Sequence, residues 1–373
     1  MSKSESLILR FYQMKSLCLC GEKTYMFELD FKFTDPFELE SGAVIDSLDL
    51  RCTIYGKLNA DKSNAVLVFH ALTGSSRIAD WWGEVLGREL GLDTSRFAFI
   101  CINCLGSCYG STSGNTLSRK AKQRGKSMPV LTTRDTVRAN AQLIEYLGIK
   151  KFKAVVGGSV GGMLALQFAS DFPDLTEKCI AIGATPLSPM GLALNHLQRR
   201  ALKLNDIRLA RQIAMVSYKS AELFDGRFER KPNRNGEVPA NEFDDRFDIA
   251  GYLDYQGEIF EKRFEPESYK VISKMMDLFD LTNEQIANIK AKTTFIGISS
   301  DWLFPSKDVK NLAERFSENG VDTEFIELVS PAGHDAFLSD SEKMNEILRS
   351  VFASESAENM SFGNWCLASN ARI

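Results

Sequence analysis

The sequence predicts a doubly wound α/β sheet with an inserted helical region, and three observations lead to this fold class. Short apolar runs alternate with helix-like segments over most of the chain. Six of these runs are near-continuously apolar, as expected of parallel strands that helices cover on both faces. The interval from 185 to 289 has no convincing strand and carries apolar residues at helical spacing instead.

The first strands along the chain follow a different pattern from the later ones. TYMFELDFKF (24–33) and LRCTIYGKL (50–58) alternate apolar and polar residues, which is typical of antiparallel strands with one solvated face. The parallel strands are then predicted at the apolar runs 64–71, 97–103, 152–158, 178–184, 293–299 and 323–329. Between the second and the third of these runs, TTRDTVRANAQLIEYLG predicts a helix that a threonine can begin and Gly148 can end.

The long helical interval is predicted to be a lid over the carboxyl edge of the sheet, where ligands bind in open α/β folds. Its helix-like segments are ALNHLQRRALKL, DIRLARQIAMVSY and ESYKVISKMMDLFD. The predicted organisation is a catalytic domain of residues 1–185 and 290–353, a helical lid of residues 186–289, and a C-terminal tail of residues 354–373.

Composition narrows the class of partner. The 373-residue chain has a formal net charge of −4, so no general basic field favours nucleic acid or an anionic membrane. The N-terminal segment has charges within its apolar portion, unlike a signal peptide, and no apolar run approaches the ~20 residues that a membrane span needs. We therefore expect a cytoplasmic protein that acts on small molecules.

The cysteines indicate reduced, buried thiols. Several of the eight lie inside apolar runs. Cys101, Cys104 and Cys108 have the spacing of part of a zinc site, but Cys101 lies in a strand-like run and no CxxC or HxxxH completes the ligand set. We predict no metal site and no bound cofactor.

The segment GGSVGGM (157–163) allows two functional interpretations. Gly157 and Gly162 have the spacing of a phosphate-binding loop, but Met163 and Leu164 occupy the positions where that loop needs lysine and Ser/Thr. A dinucleotide motif fails because Ser159 replaces its second glycine. GxSxG between a strand and a helix instead fits a nucleophile elbow with Ser159 as nucleophile, and the alternative is an ordinary glycine-rich loop.

An elbow serine needs a base and an orienting carboxylate, which in this fold class follow it in the order acid, histidine. Of the three histidines, His334 follows the last predicted strand, His196 lies in a lid segment and His70 ends an early strand. We predict His334 as base and Asp301, at the end of the preceding strand, as its partner. Asp335 is assigned to substrate contact.

The tetrahedral intermediate of acyl transfer needs two backbone N–H donors. The residue after the nucleophile, Val160, is predicted to supply one. The loop HALTGSS is predicted to supply the other, from Leu72, while His70 shapes that loop and His196 has a structural role.

The motifs of the chain together resemble the homoserine O-acetyltransferases of the α/β-hydrolase fold. The resemblance rests on HALTGSS with the tryptophan pair that follows it, INCLGSCYGSTSG, GGSVGGM, SYKSAELFDGRFER, SSDWLFP and AGHDAF, and runs from about residue 30 to 350. Two positions depart from the family pattern: Val160 replaces a usual methionine, and RFER replaces RFGR.

This resemblance implies a ping-pong transfer in methionine biosynthesis. Ser159 would take an acetyl group from the co-substrate acetyl-CoA and pass it to the side-chain hydroxyl of L-homoserine. Arg227 would hold the carboxylate of the amino acid and Asp335 its amino group, and the family is usually homodimeric through lid helices. The sequence leaves open serine as acceptor, succinyl-CoA as donor, or a carboxylic ester hydrolase with the same triad; an intact triad argues against a non-catalytic scaffold.

Overall fold

The computed structural model describes residues 7–19 and 22–353 of the chain, with side chains described from residue 25 onward. The predicted C-terminal tail lies outside the described residues. The strands, in chain order, are β1 (Leu7–Leu19), β2 (Glu22–Phe33), β3 (Phe37–Glu38), β4 (Val44–Ile45), β5 (Leu48–Tyr55), β6 (Ala65–Phe69), β7 (Leu86–Gly87), β8 (Leu92–Asp93), β9 (Ala98–Ile102), β10 (Ala154–Gly158), β11 (Lys178–Ile182), β12 (Lys292–Ile298) and β13 (Thr323–Leu328).

The helices surround the sheet and fill the interval between β11 and β12. In chain order they are α1 (Ala79–Trp82), α2 (Gly114–Gln123), α3 (Thr133–Leu147), α4 (Val160–Asp171), α5 (Pro189–Lys203), α6 (Ile207–Tyr218), α7 (Ala221–Phe228), α8 (Asp248–Glu261), α9 (Pro266–Asp277), α10 (Asn283–Ala287), α11 (Ser306–Glu318), α12 (Ala336–Ser339) and α13 (Ser341–Ala353). A 3₁₀ turn covers Gly333–Asp335.

A nine-stranded sheet runs in the order β1-β2-β5-β9-β6-β10-β11-β12-β13. The pairs from β9 to β13 in this order are parallel, and those joining β1, β2, β5 and β9 are antiparallel. The six apolar runs thus form the six parallel strands, and the two alternating segments form β2 and β5, as predicted. β1 was not predicted; its backbone pairs antiparallel with β2 from Leu7 to Leu19.

Both faces of β6, β9, β10, β11 and β12 are buried, which explains their near-continuous apolar sequence. The prediction of two covered faces is wrong for β13, which lies at the edge of the sheet and exposes Glu324 and Glu327. In β6 and β10, alternate residues such as Leu67 and Val155 join one hydrophobic cluster, while Val66 and Val156 join the cluster on the other face. Helix α3 has the ends predicted for it: Thr132 and Asp135 form a capping box, and Gly148 ends the helix at φ +66°.

Helices α5 to α10, called here the lid helices, occupy the interval that the sequence assigned to a lid. Within the described residues, 185–289 contributes no strand to the sheet. Helix α6 packs against α5, α8 and the turn Gly333–Asp335, so the lid reaches the carboxyl edge of the sheet. The residue limits of the lid remain a prediction.

Candidate active site

Ser159 lies in a sharp turn between β10 and α4. Its backbone has φ +58° and ψ −129°, outside the regions that non-glycine residues usually occupy. Its N–H donates to the carbonyl of Ile182 at 2.8 Å, which ties the turn to the neighbouring strand. The structure therefore gives Ser159 the strained strand-to-helix geometry that GxSxG predicts.

The glycines of the turn are required by close backbone approach. A Cβ on Gly157 would lie 2.2 Å from the carbonyl oxygen of Gly161, and one on Gly161 would lie 2.3 Å from that of Phe69. A Cβ on Gly162 would meet the Cβ of Ala184 at 2.6 Å. These glycines serve the turn through their missing side chains and leave no need for a phosphate to explain them.

His334 and Asp301 form a buried pair at the ends of the loops that follow β13 and β12. The Nδ1 of His334 lies 2.6 Å from Oδ2 of Asp301. The other carboxylate oxygen of Asp301 accepts the N–H groups of Leu303 and Phe304, both at 2.9 Å. These two hydrogen bonds fix the orientation of the carboxylate, which in turn holds the Nδ1 edge of the imidazole.

The charge state of His334 depends on opposing influences. Burial lowers its pKa, but the charge and hydrogen bond of Asp301 and the charge of Asp335 raise it, with a net rise above the ordinary value. The Nε2 atom is buried and has no hydrogen-bond partner among the described residues. With Nδ1–H donating to Asp301, Nε2 is the nitrogen available to accept a proton.

A cavity of about 750 Å³ contains the predicted site residues Leu72, Ser159, His334 and Asp335 in its wall. Lid residues Arg211, Tyr218 and Arg263 line it as well. The serine and histidine of the prediction therefore face one space at the carboxyl edge of the sheet. A space of this size can hold a small substrate together with the reactive end of a larger one.

The loop after β6 is shaped by His70, as the sequence analysis proposed. Its Nδ1 lies 2.8 Å from the carbonyl of Ala71, and its Nε2 accepts the N–H of Cys104 at 2.9 Å. Burial lowers the pKa of His70 to about 4, so the ring is neutral and both nitrogens are occupied by backbone. The N–H groups of Leu72 and Val160 have no acceptor within the part of the chain that is described.

Arg227, the residue that the resemblance implies for the carboxylate of the amino acid, lies on α7. This side chain is exposed on α7, with its guanidinium stacked over the rings of Phe228 at 5.2 Å and Tyr252 at 4.9 Å, and it does not line the cavity. Among the arginines that do line it is Arg211 of α6, which was not predicted from the sequence. The motif RFER fixes a position in sequence, whereas the direction of a helix face decides which side chain reaches a cavity.

Arg211 is held over the rings of Phe260 and Tyr218, at 5.0 and 5.9 Å from the ring centroids. Its Nε is buried without a hydrogen-bond partner among the described residues. A signal for it was present in DIRLARQIAMVSY, because Arg211 shares a helix face with the buried Ile207 and Ala214. An arginine on the apolar face of a lid helix is a candidate for the substrate cavity.

Asp335 carries an ion pair that sequence reasoning did not anticipate. Its Oδ2 lies 2.8 Å from Nζ of Lys219, which lies between α6 and α7.

The remaining sequence expectations concern thiols and histidines. Cys52, Cys101, Cys104 and Cys179 are buried free thiols, Cys108 is partly buried, and His196 is exposed on α5.

No group of three or more His, Cys, Asp or Glu side chains with the geometry of a metal site occurs among residues 25–353. Likewise, none of the helices in the described ranges has the length and apolar character to cross a membrane.

Comparisons with known proteins agree with this geometry. Residues 64–341 match the sequence profile of the alpha/beta hydrolase fold. The chain is 35% identical over 344 residues to the homoserine O-acetyltransferase of Acidiphilium cryptum (strain JF-5), covering 83% of this chain and 90% of the relative.

Two solved structures share the fold at lower identity. The homoserine O-acetyltransferase from Bacillus anthracis superposes with a TM-score of 0.78 at 21% identity, covering 88% of this chain and 98% of that one. Esterase E22 gives the same TM-score of 0.78 at 21% identity, covering 88% of this chain and 100% of the esterase. The profile and the 35% identity over most of both chains establish that the protein belongs to the homoserine O-acetyltransferase family of the α/β-hydrolase fold.

Proposed function

We propose that the protein is a homoserine O-acetyltransferase, which moves the acetyl group of acetyl-CoA to the side-chain hydroxyl of L-homoserine through an acetyl-Ser159 intermediate. The observation that carries the proposal is the Asp301–His334 pair at 2.6 Å, whose free Nε2 faces the cavity that Ser159 lines. The name of the Acidiphilium cryptum relative supports the choice of substrates.

In the first half-reaction, His334 Nε2 takes the proton of the Ser159 hydroxyl as the serine oxygen attacks the thioester carbonyl. The N–H groups of Leu72 and Val160 donate to the oxyanion in the proposed reaction, since neither has a protein acceptor among the described residues. Collapse of the intermediate breaks the carbon–sulfur bond, and the CoA thiolate leaves with the proton from His334.

In the second half-reaction, the homoserine hydroxyl gives its proton to His334 and attacks the acetyl ester. Collapse returns the serine oxygen, which regains the proton, and releases O-acetylhomoserine. Asp301 keeps its charge throughout and stabilises the imidazolium that forms in each half-reaction.

Acceptor recognition is assigned to two charged side chains of the cavity wall. Arg211 can pair with the amino acid carboxylate, because its guanidinium is held by ring stacking and its Nε has no protein acceptor within the described residues. Asp335 can pair with the ammonium. The resemblance implies Arg227 for the carboxylate; Arg211 is proposed here because it lines the cavity.

The fold likeness to esterase E22 keeps ester hydrolysis as the second candidate, since hydrolysis and transfer use the same triad. The test is a thiol-release assay with acetyl-CoA or succinyl-CoA, against homoserine, serine and no acceptor. We expect release to require acetyl-CoA and homoserine and to vanish in Ser159→Ala. Release at the same rate without an amino acid would favour hydrolysis, and preference for serine or succinyl-CoA would reassign the substrates.

Assembly and location remain predictions from the resemblance and the sequence: a homodimer through lid helices, in the cytoplasm. Exposed apolar side chains on α5 and α6 and between them support such an interface; they are Met190, Leu192, Leu197, Leu204, Leu209 and Val216. Leu204 is the most exposed of these side chains, at 76%, and is the position chosen to test the interface. We expect a dimer by sedimentation and a monomer for Leu204→Glu; a wild-type protein that stays monomeric at all concentrations would contradict this interface.

A further inference from the structure

Lys219, a lid residue, forms an ion pair with Asp335, the carboxylate next to the proposed base His334. Its Nζ lies 2.8 Å from Oδ2 of Asp335, and the two side chains are only 14% and 20% exposed. Asp335 lines the cavity, and its Oδ1 has no hydrogen-bond partner among the described residues. A pair this shielded from water has a stronger electrostatic effect than a surface salt bridge.

The backbone of Lys219 is fixed by the two loops that carry the proposed triad. Its carbonyl accepts the indole N–H of Trp302 at 2.9 Å, and the hydroxyl of Ser220 donates to the carbonyl of Pro331. Gly333 adopts φ +73°, and a Cβ there would lie 2.7 Å from the carbonyl carbon of Lys219. The backbone from which the ammonium extends is therefore held by both loops.

The charges around His334 explain what this ammonium does. Asp301 and Asp335 both raise the pKa of His334, and Lys219 lowers it. Arg211 and Tyr218 of α6 also face this part of the cavity. Tyr252 of α8, with Arg227 over its ring, lies within electrostatic range of Asp335 and Arg211. Without a cation at Asp335, two carboxylates would favour the protonated imidazole, which cannot act as a base.

We propose that Lys219 is the internal counter-ion of Asp335: it offsets the carboxylate charge beside His334 while the acceptor subsite is empty, and it limits how strongly Asp335 selects an acceptor that carries an ammonium. The part that concerns the acceptor rests on the proposed function. Lys219 is thus a positioning and specificity-determining residue that acts through Asp335 and does not touch the reacting atoms.

Two consequences follow for the two half-reactions. During acetylation of Ser159 no acceptor is bound, and Lys219 is the cation in direct contact with Asp335. During transfer, an incoming ammonium finds a carboxylate that is already partly neutralised, so an acceptor without the ammonium loses less than it would at a bare carboxylate.

The first experiment uses p-nitrophenyl acetate, which acetylates the serine without any acceptor. The rate of the p-nitrophenol burst is measured against pH for wild type, Lys219→Gln and Lys219→Arg. Glutamine retains a hydrogen-bond donor and loses the charge, so we expect its acid limb to move to higher pH by about half a unit or more. Lys219→Arg keeps the charge, so the acid limb of its burst rate should lie at the same pH as that of the wild type.

The second experiment compares homoserine with 4-hydroxybutanoate, the same acceptor without its ammonium. In Lys219→Gln the kcat/KM for homoserine divided by that for 4-hydroxybutanoate should rise about fivefold or more, because Asp335 then carries an uncompensated charge. In Lys219→Arg the ratio should stay near the wild-type value. Circular dichroism establishes that each variant is folded, and Lys219→Met provides the same loss of charge if glutamine does not fold.

The outcomes separate this inference from the proposed function. A folded Lys219→Gln whose acid limb does not move overturns the counter-ion role, and an acceptor ratio that is unchanged or lower overturns the specificity role. If wild type releases no thiol with acetyl-CoA and homoserine, the proposed substrates are wrong, but the burst with p-nitrophenyl acetate still tests Lys219.

Discussion

The loops at the carboxyl edge of the sheet and the lid helices contribute to the same cavity in different ways. The sheet edge fixes atoms through backbone: Ser159 is held in a turn of close-packed glycines, and Asp301 accepts two N–H groups while it binds His334. The lid contributes long charged side chains, Arg211 and Lys219, from helices and their junction. In the proposed reaction the sheet edge holds the reacting side chains and Asp335, and the lid adds Arg211 and Lys219 to the recognition of the acceptor.

The largest effect should come from the centre of the sheet edge. Ser159→Ala removes the proposed nucleophile, so we expect acetyl transfer to fall about 10⁴-fold or more. The measurement is thiol release from acetyl-CoA, with thermal unfolding as control for the fold. Transfer that persists within tenfold of wild type would show that the lid cavity works without an acyl-serine.

A steric substitution compares the two regions directly. Gly161→Ala places a Cβ 2.3 Å from the carbonyl oxygen of Phe69, so we expect the free energy of unfolding to fall by about 4 kcal/mol or more. The matched control is Gly226→Ala in lid helix α7, where a Cβ meets nothing within 4 Å. This substitution should raise the free energy of unfolding by about 0.5 kcal/mol. Urea unfolding measures both, and equal effects would contradict a rigid edge beside a tolerant lid.

The pH dependence of stability provides a third comparison. The folded pKa of His70 is about 4, below the unfolded value near 6.5, so the unfolded chain takes up the proton first as pH falls. His70 alone should therefore remove about 3 kcal/mol of stability between pH 6.5 and pH 4. The raised pKa of His334 has the opposite sign: its contribution is complete below 6.5 and is lost as pH rises through the folded value.

Chemical unfolding across that pH range tests this contribution. His70→Asn should flatten the loss of stability toward acid pH. His196→Asn, on the exposed face of lid helix α5, should keep the wild-type dependence. A His70 variant with the same slope as wild type would mean that other groups set the acid limit.

The smallest of these effects should lie in the lid. Arg211→Met should raise the KM for homoserine about 30-fold and leave that for acetyl-CoA nearly unchanged, because one charged hydrogen-bonded contact is lost. Arg227→Met, whose guanidinium lies outside the cavity, is the control and should change neither value by more than about twofold. The reverse ranking would restore the assignment based on the sequence motif.

The two regions also differ in how far the sequence predicted them. The six parallel strands, the glycine turn and the pairing of Asp301 with His334 could be predicted, since each depends on local pattern or on the order of residues in a known fold class. These features are set by backbone geometry, which sequence spacing specifies well.

The lid contacts could not be predicted in the same way. Arg211 reaches the cavity because α6 packs against the turn Gly333–Asp335, and the ion pair of Lys219 depends on how the α6–α7 junction meets that turn. Both are tertiary contacts between segments more than a hundred residues apart. Helical periodicity gives the buried face of α6 but not the neighbour that this face meets.

The close contact of Gly333 with Lys219 has a practical meaning for protein engineering. Lids are attractive units to exchange between relatives when a new acceptor is wanted, and the natural cut points would be the loops at either end of α5 to α10. Here the peptide at 219–220 is interlocked with the loops bearing Asp301 and His334. A chimera should therefore transplant the segments 219–220, 301–302 and 330–335 together, as one discontinuous cassette.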